Sequence, residues 1–176
     1  MILHEGTRDL GYRLDCERLF SPAELPENPL SWFDMDSQWF QKANDTRKQL
    51  ISDPNALNQA KEKGWLVESR DAYWFAPVPR PGKLICIGLN YRDHAAESNM
   101  PVPSSPVTFS KYVTSVTGPD KPILLPPSSH QVDYEAEMAV VIGRRAKYVP
   151  IERAYDYVLG YMNFNDVSAR DFQFAD

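Results

Sequence analysis

From Val132 to Gly143 the chain reads Val-Asp-Tyr-Glu-Ala-Glu-Met-Ala-Val-Val-Ile-Gly, with apolar residues at 134, 136, 138, 140 and 142 set against Asp133, Glu135 and Glu137. Period-two alternation that ends in β-branched residues and a glycine predicts a strand. Side chains two apart in a strand share a face, so Glu135 and Glu137 are expected side by side, about 7 Å apart at a rise of about 3.3 Å per residue. Two adjacent carboxylates repel, and solvent, an arginine or lysine, protonation or a cation must relieve them. The continuous apolar run Met138 to Ile142 predicts burial on both faces, which would set the carboxylates at the mouth of a core. Asp166 follows one short helix and one strand later, and three carboxylates together make a hard, all-oxygen site.

The first 80 residues read as a separate α+β module. Asp36 is placed to cap a helix running to about Ile51, with Trp39, Phe40, Ala43, Leu50 and Ile51 on one side. Asp53-Pro54 starts a second helix that ends near Gly64. Trp65-Leu66-Val67 and Ala72-Tyr73-Trp74-Phe75 suggest a small hairpin pair, with the aromatics as packing. Pro77, Pro79 and Pro81 form a stiff connector, and the second domain, residues 81–176, begins there.

That domain opens on Lys83 to Leu89, a buried strand that delivers the chain to a loop carrying His94 and Glu97. If His94 opens a helical turn, Glu97 lies on the same side three residues on and can orient the imidazole. Seven prolines between Met100 and Pro127 interrupt two short apolar pieces, Val107 to Phe109 and Ile123 to Leu125, as in strands joined by rigid loops. After the acidic strand come a basic turn (Arg144, Arg145, Lys147), a short helix begun by Pro150, and a strand from Val158 to Phe164.

Composition narrows the function classes. With 19 Lys and Arg against 24 Asp and Glu the formal charge is −5, and no basic run or aromatic-basic stripe appears, so nucleic acid is not expected as a partner. No apolar stretch approaches the roughly 18 residues that span a bilayer, and the N-terminus lacks a signal-peptide pattern; no membrane association and a cytoplasmic setting are the expectation. The two cysteines, Cys16 and Cys86, have no metal-ligand spacing, and Cys86 sits in an apolar run as a small buried residue.

Three separated motifs agree in order and spacing with one family. Gly88-Leu89-Asn90-Tyr91 with His94 and Glu97, then Asp133 to Glu137 running into Val141-Ile142-Gly143, then Asn165 to Asp171 with Gln173 resemble the fumarylacetoacetate hydrolase family over roughly residues 82 to 176. The resemblance implies an α+β, mostly β fold: a mixed β-sandwich roll, here incomplete, preceded by the small N-terminal domain of residues 1–80 and usually forming a homodimer. It also implies a divalent cation, commonly Mg²⁺ with Mn²⁺ or Ca²⁺ as alternatives, held by Glu135, Glu137 and Asp166. His94 and Glu97 match the pair that activates water in hydrolytic members, and Arg170 and Gln173 match positions that contact substrate. Arg170 pairing structurally with Asp171 or Asp166 is the competing reading.

The implied activity is metal-dependent hydrolysis of a C–C bond in an acylpyruvate or 1,3-diketo acid through a stabilised enolate, in aromatic catabolism. Isomerisation or decarboxylation of 2-oxo dicarboxylic acids on the same site is the alternative. Family members continue past the Asp motif with a lysine and a Thr-Gly-Thr-Pro-type segment, so the chain is expected to be a fragment or a truncated, non-catalytic association module.

Overall fold

The computed structural model describes residues 2–5, 8–97 and 99–175. It divides into two compact units, Met1–Tyr73 with Ile123–Asp176, and Trp74–Pro122. These units follow contacts rather than chain order, and they do not coincide with a division at residues 80 and 81.

In the first unit β1 (Ile2–Glu5), β2 (Arg8–Leu14) and β3 (Leu66–Glu68) form an antiparallel sheet in the order β1-β2-β3. The expected hairpin of residues 65–67 with 72–75 is therefore replaced: Leu66, Val67 and Glu68 pair with Leu14, Arg13 and Tyr12. Strand β2 sets Leu10, Tyr12 and Leu14 against Asp9 and Arg13, a short period-two pattern that sequence reasoning passed over. Between β2 and β3 lie α1 (Cys16–Leu19), α2 (Gln38–Ser52) and α3 (Pro54–Glu62).

The cap of α2 is Ser37, one residue beyond the expected Asp36; its hydroxyl accepts from the Phe40 amide at 3.0 Å. Asp36 instead pairs with Arg144 at 3.1 Å. Asp53 caps α3 as expected, accepting from Asn55 N at 2.8 Å, with Pro54 in the first turn. Gly64 then reverses the chain at φ +68°, a conformation that costs residues with a Cβ and suits glycine.

The helices and β3 enclose a small core of Cys16, Phe20, Ala43, Leu50 and Ala60, with Trp32, Trp39, Leu57 and Trp65 packed around it. Trp39 lies between Phe20, tilted at 57°, and Trp32, edge-on at 78°, at centroid distances of 5.1 and 5.0 Å.

The remainder of this unit is two antiparallel ribbons. Strand β6 (Val132–Asp133) pairs with β9 (Ser168–Ala169), and β7 (Ala136–Ile142) with β8 (Val158–Asn165). The predicted strand of residues 132–143 is thus two strands broken at Tyr134 and Glu135. A 3₁₀ helix, Ile151–Tyr157, links β7 to β8. After β9 the chain closes with the single turn α5 (Arg170–Gln173).

On β7 the expected burial of both faces fails. Glu137, Ala139 and Val141 are half-buried, while Met138 (64% exposed), Val140 and Ile142 stand outward. The reason is topological: β7–β8 is a two-stranded sheet, so a strand patterned for two covered faces has only one turned towards protein. At its end Gly143 is buried, hydrogen-bonded through its amide to Tyr157 O and through its carbonyl to Met35 N, both at 2.9 Å. That second bond joins the helical module to the ribbon.

The second unit holds β4 (Ile85–Gly88) and β5 (Val107–Ser110), paired antiparallel with Cys86 opposite Phe109, and α4 (Arg92–Glu97) between them. Strand β4 is less buried than its composition predicts; Cys86 is buried, but Ile85 and Ile87 are exposed. Within the first unit, Ile123 to Leu125 form no strand and are exposed.

Candidate functional site

The end of the β7–β8 ribbon collects the acidic residues. Glu135 lies in the break between β6 and β7, where its backbone is fixed from across the sheet: the Asp166 amide donates to Glu135 O at 3.0 Å, and the Glu135 amide donates to Asn165 Oδ1 at 3.2 Å. Ala136 stands opposite Asn165 and Glu137 opposite Phe164. The backbone therefore brings residues 135, 137 and 166 to one end of one ribbon, although Glu137 and Asp166 are 29 positions apart in the chain. Asp166 is buried at 3% exposure, unusual for a carboxylate.

Arg170 lies at the start of α5, beside the β6–β9 ribbon, where its amide donates to Gln131 O at 2.8 Å. Its guanidinium reaches back to the acidic segment. Nε and Nη2 donate to Asp133 Oδ2 at 3.2 and 3.0 Å, Nη2 also meets Glu135 Oε1 at 2.8 Å, and Nη1 donates to Gln173 Oε1 at 2.8 Å. Burial pushes the guanidinium pKa down, but the Asp133 hydrogen bond and the charges of Glu135 and Asp133 outweigh it, leaving a net rise. The carboxylates that hold Arg170 are thus Asp133 and Glu135.

Asp171 turns the other way and anchors a neighbouring loop. It accepts from Ser129 Oγ at 2.7 Å and from His130 N at 2.9 Å. The Ser129 hydroxyl and then the His130 amide lower its pKa below the ordinary 3.8. Pairing of Arg170 with Asp171 or Asp166 is replaced by this arrangement.

The structure thus gathers Asp133, Glu135, Arg170 and Gln173 into one hydrogen-bonded cluster, with Asp166 and Glu137 attached through the ribbon backbone. His94 and Glu97 belong to the other unit, one turn apart on α4; Glu97 is exposed, and the side chain of His94 lies outside the described residues. Sequence reasoning missed Asp133 as the partner of Arg170. The available signal was its position two residues before Glu135, on the same face of an extended chain.

The donor set suits a hard divalent cation in chemistry, being carboxylate oxygen throughout, and in backbone placement. The side chains are arranged around a different cation: among the described residues no three acidic, histidine or cysteine side chains converge as metal ligands, and Glu135 is engaged by the Arg170 guanidinium.

Residues 83–176, just over half the chain, match the family described as fumarylacetoacetate (FAA) hydrolase, C-terminal. The chain belongs to the fumarylacetoacetate hydrolase family. Among relatives of this family, a mitochondrial oxaloacetate tautomerase of Bos taurus is 50% identical over 100 residues, which are 57% of this chain and 32% of the tautomerase. A Mycobacterium smegmatis protein described as HpcE superposes with a TM-score of 0.62 at 32% identity, over 86% of this chain and 48% of that one. A 5-carboxymethyl-2-hydroxymuconate delta-isomerase of the same organism superposes with a TM-score of 0.54 at 44% identity, over 61% and 43%. The fold is α+β of the fumarylacetoacetate hydrolase type, and the chain spans about a third to a half of the length of these relatives. No helix among the described residues is long and apolar enough to cross a membrane.

Proposed function

We propose that this chain carries part of a site that binds a 2-oxo acid and moves a proton through its enolate, isomerising keto and enol forms. The observation that carries this is the Arg170 cluster. A guanidinium oriented by Asp133 and Gln173 stands directly beside the acidic end of the β7–β8 ribbon. Guanidinium donors recognise a carboxylate by charge-assisted hydrogen bonds, which positions a 2-oxo acid by its acid end. Gln173 holds the third edge of the fork, and through Asp133 and Gln173 the cluster keeps Arg170 from collapsing fully onto Glu135.

Glu135, Glu137 and Asp166 would hold a divalent cation, Mg²⁺ before Mn²⁺ or Ca²⁺. Bound there, the ion supplies Lewis-acid stabilisation of an enolate oxygen, on the order of several kcal/mol. The tautomerase and isomerase names of the relatives favour isomerisation as the reaction. Hydrolysis of a C–C bond in an acylpyruvate is the second reading; it rests on His94 and Glu97, whose one-turn spacing on α4 suits an imidazole oriented by a carboxylate to take a proton from water. A homodimer and a cytoplasmic setting accompany the proposal; the mitochondrial name of the bovine relative argues for an organelle where the host has one.

The test follows the loss of enol absorbance of oxaloacetate with Mg²⁺ present, alongside release of pyruvate from acylpyruvates. Magnesium-dependent enol loss that disappears in Glu135→Gln and in Glu137→Gln is the expected result, with His94→Ala retaining cation binding. Turnover undiminished in both glutamine variants refutes the site.

A further inference from the structure

We propose that Arg170 is a built-in, displaceable counter-ion of the cation site, so that the site loads by exchange of guanidinium for metal on Glu135. The inference rests on the ligand reading above and adds a competitor to it. Three of the four contacts of the guanidinium go elsewhere: Nε and Nη2 to Asp133 and Nη1 to Gln173. Only the Nη2 contact at 2.8 Å engages Glu135. A turn of the Glu135 side chain can therefore release the contact while Arg170 stays moored on Asp133 and Gln173 by the remaining three bonds, in place of expulsion into solvent.

The exchange has a physical reason at each end. Glu135 and Arg170 are both half-buried, with side-chain exposures of 32% and 22%, and a carboxylate removed from water needs a positive partner when no metal is present. Arg170 provides it at no cost in recruitment. When a divalent ion arrives, the guanidinium and the ion compete for one oxygen pair, and like charge disfavours their sharing it. The released edge of Arg170 then faces the cation end with a free donor, able to take a carboxylate brought in by the ligand. Cation affinity and ligand orientation would in this way be set by one side chain.

Mn²⁺ binding to the purified chain, read from the free-ion signal by electron paramagnetic resonance, tests this without reference to turnover. Arg170→Met removes the competitor, and the expected result is about tenfold tighter Mn²⁺ binding, equivalent to about 1.4 kcal/mol. The comparison is made at 0.05 and 0.5 M KCl. Contact competition at a half-buried carboxylate persists at the higher salt, whereas through-space repulsion between exposed charges is screened away over a Debye length of a few ångströms. Saturable binding by the variant alone also supports the exchange.

An unchanged or weaker dissociation constant in the variant overturns the inference while leaving the ligand reading intact, and so does a tightening confined to low salt. No saturable binding in either protein overturns both. The Arg170 Nε resonance of the unmodified chain gives a second measurement should the variant fold poorly. It is expected to shift with Mg²⁺ and saturate with binding while its proton stays protected by Asp133. A resonance that ignores saturating Mg²⁺ refutes the exchange.

Discussion

Replacing Gly143 with alanine tests the junction between the helical module and the ribbon. A Cβ added there would stand 2.6 Å from Cγ and from Sδ of Met35, and 2.8 Å from Cβ of Leu159. The methionine is flexible and can swing aside. Leu159 Cβ is tied to the backbone of β8 and must move by roughly 0.6 Å or more to restore an ordinary contact near 3.4 Å. The space is also closed by the two hydrogen bonds of Gly143, to Tyr157 and Met35, which resist such a shift. Overpacking of this kind costs about 1–3 kcal/mol, a five-fold to more than hundred-fold change in the folded-to-unfolded ratio.

The assay is urea unfolding followed by tryptophan fluorescence, with Trp32 and Trp39 close in sequence to Met35 reporting on the module. The midpoint should fall with the slope unchanged, since the surface exposed on unfolding is the same. Adding Met35→Ala should recover part of the loss, because it removes two of the three overlaps, and the Leu159 share should remain. A midpoint for Gly143→Ala equal to that of the unmodified chain would show that the junction has slack, and the packing argument would be wrong.

Other perturbations read other parts of the chain. Ser37→Ala removes the hydroxyl that caps α2 and should lower stability by about 1 kcal/mol, measured by the same unfolding curve, whereas Asp36→Ala should leave the helix start unaffected. Leu50→Ala opens the small core beneath α2 and should cost about 2–5 kcal/mol; a loss below about 1 kcal/mol would mean that this core collapses freely. Asp171 has a lowered pKa in the folded chain, so its stabilisation is fully present above the ordinary 3.8 and is lost as pH falls through the lower folded value. Asp171→Asn should therefore be less stable than the unmodified chain at pH 7, with the gap narrowing steadily as pH falls below the ordinary 3.8; a gap that does not narrow on acidification contradicts the assignment.

How much of this was legible in the sequence depends on the range of the interactions involved. Helix α3 could be read because Asp53, Pro54 and Gly64 act within a turn of where they stand. Strand β8 and the 3₁₀ helix before it were legible for the same reason. The break at Tyr134 and Glu135 was not, because Asn165 and Asp166, some thirty residues away, take the amide and carbonyl that would have continued the ladder.

Likewise β3 has an apolar start that promised a local hairpin, but its partner is the charged strand β2, and such a pairing leaves no mark in either segment alone. Family motifs named Glu135, Glu137, Asp166, Arg170 and Gln173 as a set. The contact of Arg170 with Asp133 is completed by the pairing of β6 with β9, which brings Asp133 opposite Ser168.

The outward row of Met138, Val140 and Ile142 has a consequence for the opposite end of the same strands. A ribbon of only two strands is marginal by itself, so amides along β7 and β8 should exchange with solvent faster than those of α2. Glu135 and Asp166 are held by hydrogen bonds at the last rung of that ladder. Anything that quiets the breathing of the strands would sharpen the acidic end from a distance, with no contact at the carboxylates themselves.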